Sequence, residues 1–104
     1  MAQTMRIRVT LQGEAADVKV LMSHPMETGL REDAATGKLL PMHFIKTVSA
    51  THNGTPVLQA QWSQAVSRNP FLHFRLRRAK PGDKVAISWE DNRGETGFIE
   101  TEVN

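Results

Sequence analysis

Twenty residues near the middle of the chain, HFIKTVSATHNGTPVLQAQW at positions 43–62, decide the fold class. His43 to Thr51 is rich in β-branched residues, and Val57 to Trp62 alternates apolar and polar side chains as a strand with one buried face does. Asn53-Gly54 between them supplies the positive φ angles of a tight hairpin turn. The stretch therefore predicts two antiparallel strands.

The same alternation with period two recurs on both sides of this hairpin. It predicts five more strands, at about Met5–Leu11, Val18–Met22, Phe71–Arg78, Val85–Trp89 and Thr96–Val103. Lys80–Asp83 and Asp91–Gly94 have the composition of turns, and no helical period runs through ten or more residues. We therefore expect an all-β protein, an immunoglobulin-like antiparallel β-sandwich of about seven strands, although a small barrel satisfies the same pattern.

Composition limits the class of protein. A chain of 104 residues fits a single domain, 1–104, and 39% apolar with 23% charged residues is typical of globular proteins. No apolar run approaches the roughly 20 residues that span a bilayer, so no membrane contact is expected. The first residues show no apolar signal segment, which taken alone favours the cytoplasm.

The chain contains no cysteine. This excludes disulfides, thiolate metal sites and nucleophilic thiol chemistry on the chain itself. Any sulfur chemistry in which it takes part must use a thiol of another molecule.

Charge is unevenly distributed. Residues 68–84 carry six cationic side chains and one acid, and residues 90–102 carry five acids and one arginine. The run around Arg75–Lys80 resembles the basic stripe of a nucleic-acid binder, but period-two spacing explains it as the solvated face of a strand. We expect no nucleic-acid binding, and favour contact with an acidic protein surface.

Three apolar residues, Val57, Phe71 and Phe98, fall on nominally polar faces, so either that face is partly covered or they mark an interface.

Residues Ser23 to Met42 interrupt the rhythm of strands. The segment contains Pro25, Gly29, Gly37 and Pro41 and has no sustained period, and connections of this length tend to carry function. It could also contain a short edge strand.

Two chemical hypotheses arise around this segment. Copper is one, since imidazole and thioether ligands suit it and His24, Met26, Met42 and His43 flank the loop. Met22, by contrast, alternates into the predicted core. A general acid–base pair of His24 or His43 with Glu27 is the other, but no nucleophile or paired carboxylate accompanies it. Core methionines and hydrogen-bonded histidines are favoured over both, so we predict no catalytic residues, metal or cofactor.

Several stretches, read in order, resemble the SoxZ family. They are VLMSHPMETG at 20–29, HFI at 43–45, ATHNG at 50–54, VLQAQW at 57–62 and NPF at 69–71. The resemblance covers about residues 5–103, and the run around His24 to Gly29 is its most specific part. Arg31 to Leu40, Arg78 and the acidic end match less distinctively, and no role is carried over to them.

The resemblance implies the non-catalytic small subunit of the SoxYZ sulfur carrier of bacterial thiosulfate oxidation. The implied partner is SoxY, whose C-terminal cysteine arm bears the sulfur intermediates, with other Sox enzymes as transient partners and a homodimer possible for the isolated chain. It also implies a periplasmic location, reached by export together with a signal-bearing SoxY, in place of the cytoplasm. We hypothesise that the surface facing SoxY or its clients is shaped by His24, Pro25, Met26, Glu27, Thr28, Asn69, Pro70 and Phe71.

Overall fold

Seven strands and no helix form the part of the chain that the computed structural model describes, residues 5–104. The strands are β1 (Met5–Gln12), β2 (Ala15–Met22), β3 (Ile45–His52), β4 (Thr55–Gln61), β5 (Phe71–Leu76), β6 (Lys84–Asp91) and β7 (Thr96–Glu102). Within this part no helix has the length and hydrophobicity that crossing a bilayer requires.

The strands form two antiparallel sheets. One sheet has three strands in the order β1-β2-β5, and the other has four in the order β4-β3-β6-β7. The predicted all-β fold and β-sandwich are confirmed. The strands form two separate sheets rather than one closed sheet, so the alternative of a small barrel was wrong.

Alternation in the sequence places the core between the sheets. Val18, Val20 and Met22 of β2 and Val85 and Ile87 of β6 are all fully buried. Residues between them on the same strands point to the two outer faces, because successive side chains of a strand alternate. The prediction that Met22 lies in the core is confirmed.

Predicted and observed strands differ by one to three residues at most ends, and two of these differences have a clear structural cause. β3 begins at Ile45 rather than His43, because a bulge lies between Ile45 and Thr47 and His43 pairs instead with Glu27. β5 ends at Leu76 rather than at Arg78, which has a positive φ of 56°. That left-handed residue turns the chain so that Ala79 enters the core.

The two predicted turns next to β3 and β6 meet at one end of the sandwich. Asn53 and Gly54 have φ angles of 51° and 83°, as a hairpin of this kind needs. His52 Nε2 lies 2.8 Å from Asp83 Oδ2, so the β3–β4 turn is tied to the turn before β6. This contact, with the backbone amide of Lys80 and the side chain of Asn53, lowers the pKa of Asp83 to about 2. The opposite end carries the candidate site.

Candidate functional site

Three segments that are distant in sequence converge at the other end of the sandwich. Ser23–Met26 follows β2, His43 precedes β3, and Asp91 ends β6. His24 and Asp91 are 4% and 0% exposed, respectively, and they are the buried polar residues of the described chain. We call His24, His43 and Asp91 the polar cluster.

Asp91 is the centre of the polar cluster. Its Oδ1 accepts hydrogen bonds from the amides of Arg93 (3.0 Å) and Glu95 (2.9 Å). Its Oδ2 lies 3.1 Å from His24 Nε2 and 2.7 Å from His43 Nε2. A carboxylate has about four lone-pair positions, so all of them are used within the chain.

The local sequence explains one half of this arrangement. Asp in the first position of Asp91-Asn92-Arg93-Gly94 folds back onto amides of its own turn, as aspartate commonly does. Gly94 has a φ of 82° and closes the turn with a hydrogen bond from its amide to the Asp91 carbonyl. The Asx turn therefore orients the second carboxylate oxygen toward the histidines.

The tautomer of His24 is fixed by a backbone group. The amide of Met26 donates to His24 Nδ1 at 3.1 Å, so Nδ1 carries a lone pair and the proton is on Nε2, which donates to Asp91. Burial lowers the pKa of His24 more than the hydrogen bond to Asp91 raises it. His24 is therefore a neutral imidazole at neutral pH.

His43 is the less buried histidine of the cluster. Its side chain is 12% exposed, and its Nε2 also lies 3.2 Å from Glu95 Oε1. The two imidazole rings are 4.5 Å apart between centroids and meet edge to face. His43 connects the buried Asp91 to the exposed Glu95.

Opposing effects determine the pKa of Asp91. Burial raises it, but the hydrogen bonds from His24, His43 and the amides of Glu95 and Arg93 together outweigh burial and lower the pKa to about 2. Asp91 is therefore ionised throughout the physiological pH range.

Trp89 forms one wall of the cluster. Its ring meets that of His24 edge to face, with centroids 5.3 Å apart. The indole lies directly over Gly97, its cross-strand partner in β7, where any Cβ would overlap the ring. Trp89 Nε1 is buried without a hydrogen-bond partner among the described residues. Glycine at position 97 is thus required by packing rather than by a turn.

The copper hypothesis can be tested on these contacts. His24, His43 and Asp91 offer donor atoms within 4.8 Å of one another. A metal on His24 Nε2, however, would move the ring proton to Nδ1, where it would face the Met26 amide donor. Met26 Sδ accepts from the Ile45 amide at 3.3 Å, and Met42 is 43% exposed. The donor set therefore fits an internal hydrogen-bond cluster and does not fit a metal.

The contacts of Glu27 likewise do not support the acid–base hypothesis. The Glu27 carboxylate accepts from Arg31, which lowers the pKa of Glu27, and it forms no hydrogen bond with either imidazole in the described chain. Asp91, the actual partner of both histidines, was expected only as a turn residue. The Asx turn could have been foreseen from the sequence, but the partners 48 and 67 residues away could not.

The residues predicted to bind a partner lie together but differ in exposure. The backbone of His24 is held by Asn69, through its side chain at 3.0 Å and its amide at 2.9 Å, so the two predicted segments are adjacent. His24, Met26 and Pro70 are buried beneath the surface, and Glu27 is partly buried. The exposed members are Pro25, Thr28, Asn69 and Phe71. Partner binding by these residues stays a prediction.

The long connection is an irregular hairpin, which we call the arm (residues 27–43). Bridges pair Glu27 with His43 and Glu32 with Leu39, and the amide of Gly37 closes the tip on Asp33. The suggested short edge strand is thus replaced by two isolated bridges. The arm exposes Leu30 (81%) and Leu39 (58%), and its base is joined to the polar cluster through His43.

Comparisons with known proteins give a fold likeness and a family. A hypothetical protein from Pyrococcus horikoshii has a TM-score of 0.69 at 16% identity, with 98% of this chain and 88% of that chain covered. Superoxide reductase from Nanoarchaeum equitans has a TM-score of 0.67 at 13% identity, covering 97% and 92%. A variant of superoxide reductase (neelaredoxin) from Ignicoccus hospitalis has a TM-score of 0.65 at 15% identity, covering 98% and 79%. At these identities the likeness shows the fold alone.

Sequence comparison is more specific. No curated protein matches the chain. The family model described as sulphur oxidation protein SoxZ matches residues 5–102, which is nearly the whole chain. The expected family is thereby confirmed, and the chain belongs to the SoxZ family of sulfur-oxidation proteins.

Proposed function

We propose that the chain is the non-catalytic subunit of a SoxYZ-type sulfur carrier. It pairs with SoxY, whose C-terminal cysteine segment holds the sulfur intermediates, and presents that segment to the other enzymes of thiosulfate oxidation. The pair works in the periplasm, where the chain arrives by export together with a signal-bearing SoxY.

The observation that carries this proposal is the saturation of Asp91. The polar cluster has the residue types of a reaction centre, but its carboxylate accepts four internal hydrogen bonds and its buried histidine is held in one tautomer. A general base needs a lone pair that can reach a substrate. Here no such position of Asp91 is left, so the cluster joins three segments of a scaffold.

The composition supports the same division of labour. With no cysteine in the sequence, a covalent sulfur intermediate cannot form on a thiol of this chain. A carrier of sulfur then needs a second subunit that supplies the thiol. Membership of a sulfur-oxidation family is consistent with that arrangement.

Co-expression with SoxY from the same source tests the proposal. We expect both chains to elute together from size exclusion as a stable complex. The chain alone should not consume thiosulfate, and the complex should accept sulfur on SoxY only. Separate elution of the two chains, or thiosulfate turnover by this chain alone, would contradict the proposal.

A further inference from the structure

The outer face of the three-stranded sheet places cations side by side. Strand register sets Arg8 directly opposite Lys19, and Lys19 directly opposite His73, so that the three form one row across the sheet. All three side chains are exposed. Arg8 and Lys19 are like charges directly opposite each other on neighbouring strands, and such a pair is destabilising. Folding therefore does not account for the Arg8–Lys19 pair.

Among the described residues no acid forms an ion pair with Arg8 or Lys19, although the pKa of Asp17 is lowered mainly by Arg75 and to a smaller extent by His73 and Lys19. Asp17, the carboxylate on this face, lies 2.9 Å from Arg75 Nε and 3.8 Å from His73 Nε2. Among residues 5–104, neither arginine of β1 (Arg6, Arg8) nor Lys19 has a carboxylate within ion-pair distance. We call Arg6, Arg8 and Lys19 the free cations.

An apolar pair lies beside the free cations. Leu21 and Phe71 are directly opposite each other in β2 and β5, with 44% and 59% of their surface exposed. Arg6 is the cross-strand neighbour of Leu21, and the free cations and this pair line one open groove. An apolar centre with a charged border is the usual composition of a protein interface.

We infer that this face is the docking site for SoxY, through an acidic surface with an apolar side chain seated between Leu21 and Phe71. The inference rests on the proposed function and adds the location and chemistry of the interface. Complementary charge supports an acidic partner, since contact with carboxylates relieves the repulsion that the free cations create.

A second copy of the chain is the alternative occupant of this face. Its own acids include Glu90, Glu100 and Glu102, which are exposed on β6 and β7 of the other sheet. Docking the acids of one copy onto the cations of another joins two different surfaces, which requires either a reciprocal two-fold pair or a repeating head-to-tail assembly. The proposed pairing with SoxY therefore decides the occupant, and self-association through this face is an outcome of the test.

The test measures the affinity of the purified chain for SoxY at several salt concentrations. Arg8→Glu/Lys19→Glu reverses the Arg8–Lys19 pair and keeps two like charges opposite each other, while Lys19→Glu also places an acid near Asp17. The matched control, Lys46→Glu/Arg93→Glu, changes net charge equally at exposed positions outside this face. Thermal unfolding of each variant confirms that it is folded.

We expect the reversal to weaken binding by on the order of tenfold or more at low salt, and less at high salt, while the control binds as the unaltered chain does. Phe71→Ser should weaken binding without altering its salt dependence. If SoxY binds the unaltered chain and the reversed variant equally, the docking site is wrong and the proposed function stands. If SoxY does not bind the unaltered chain, both fail. Self-association that the reversal abolishes would assign the face to a second copy and overturn the inference.

Discussion

Replacing Asp91 by asparagine preserves the size of the side chain and removes its charge. The amide oxygen can still accept from the amides of Arg93 and Glu95. The new NH₂ group, however, would face two N–H donors, His24 Nε2 at 3.1 Å and His43 Nε2 at 2.7 Å. His24 cannot adapt by changing tautomer, because its Nδ1 already accepts from Met26.

The cost follows from the bonds that are lost. Hydrogen bonds to a charged group contribute about 1.5–3 kcal/mol each, and removing one partner of a buried pair costs about 3–5 kcal/mol. A domain of this size is stable by about 5–15 kcal/mol, so Asp91→Asn should remove a large part of that free energy of unfolding. The thermal midpoint should fall by about 12 °C or more.

Urea unfolding followed by tryptophan fluorescence at pH 7 measures this loss. Glu95→Gln is the matched control, since it removes a carboxylate from the same histidine but at a side chain that is 61% exposed. We expect that control to cost less than about 1 kcal/mol. A free energy of unfolding for Asp91→Asn within about 1 kcal/mol of the unaltered chain would refute the reasoning.

The dependence on pH gives a second signature. The pKa of Asp91 is lowered from 3.8 to about 2, so its ionised form stabilises the fold above pH 3.8. That contribution is lost as the pH falls from 3.8 toward 2. The difference in stability between the unaltered chain and Asp91→Asn should therefore be full at pH 7 and shrink in this acid range.

Three further predictions concern the same end of the sandwich. Burial lowers the pKa of His24 below 6.5, so protonation of this residue in the unfolded chain destabilises the fold as the pH falls below 6.5. The difference in free energy of unfolding between the unaltered chain and His24→Gln should therefore narrow between pH 7 and pH 5. A constant difference would contradict this. Gly97→Ala should cost at least about 1–3 kcal/mol in urea unfolding, because the methyl group overlaps Trp89; an unchanged midpoint would show that the indole moves freely. Titration with Cu(II) should leave the thermal midpoint unchanged, whereas stoichiometric binding that His43→Gln abolishes would restore the copper hypothesis.

Local patterns were enough to predict most of the fold. Alternation assigned the inward set of β2, because one buried face imposes a period of two regardless of the neighbours. Asn53-Gly54 fixed the β3–β4 hairpin, since few other dipeptides accept both φ angles. Strand ends were less accurate, because the bulge in β3 and the left-handed Arg78 depend on tertiary contacts.

The candidate site could be predicted from local patterns only in part. His24 and His43 were singled out from their position around the long connection, and they do lie together. Their partner Asp91 was not, because a turn aspartate looks the same whether its second oxygen faces water or two imidazoles. The burial of Met26, whose sulfur accepts from the Ile45 amide, likewise depends on a tertiary contact that no local pattern shows.

The link between the arm and Asp91 has a consequence for the order of folding. The base of the arm is held by His43, whose partner comes 48 residues later, and the segment before it is held through His24, which is 67 residues from that partner. The sheets close loops of similar length, since Ala16 pairs with Leu76, but many hydrogen bonds share that entropic cost, whereas the arm has two isolated bridges. We therefore expect the arm to become ordered late, after β6 and β7 have paired and their turn has formed. A refolding chain would show early protection from hydrogen exchange in the sheets and late protection at Glu27 and His43.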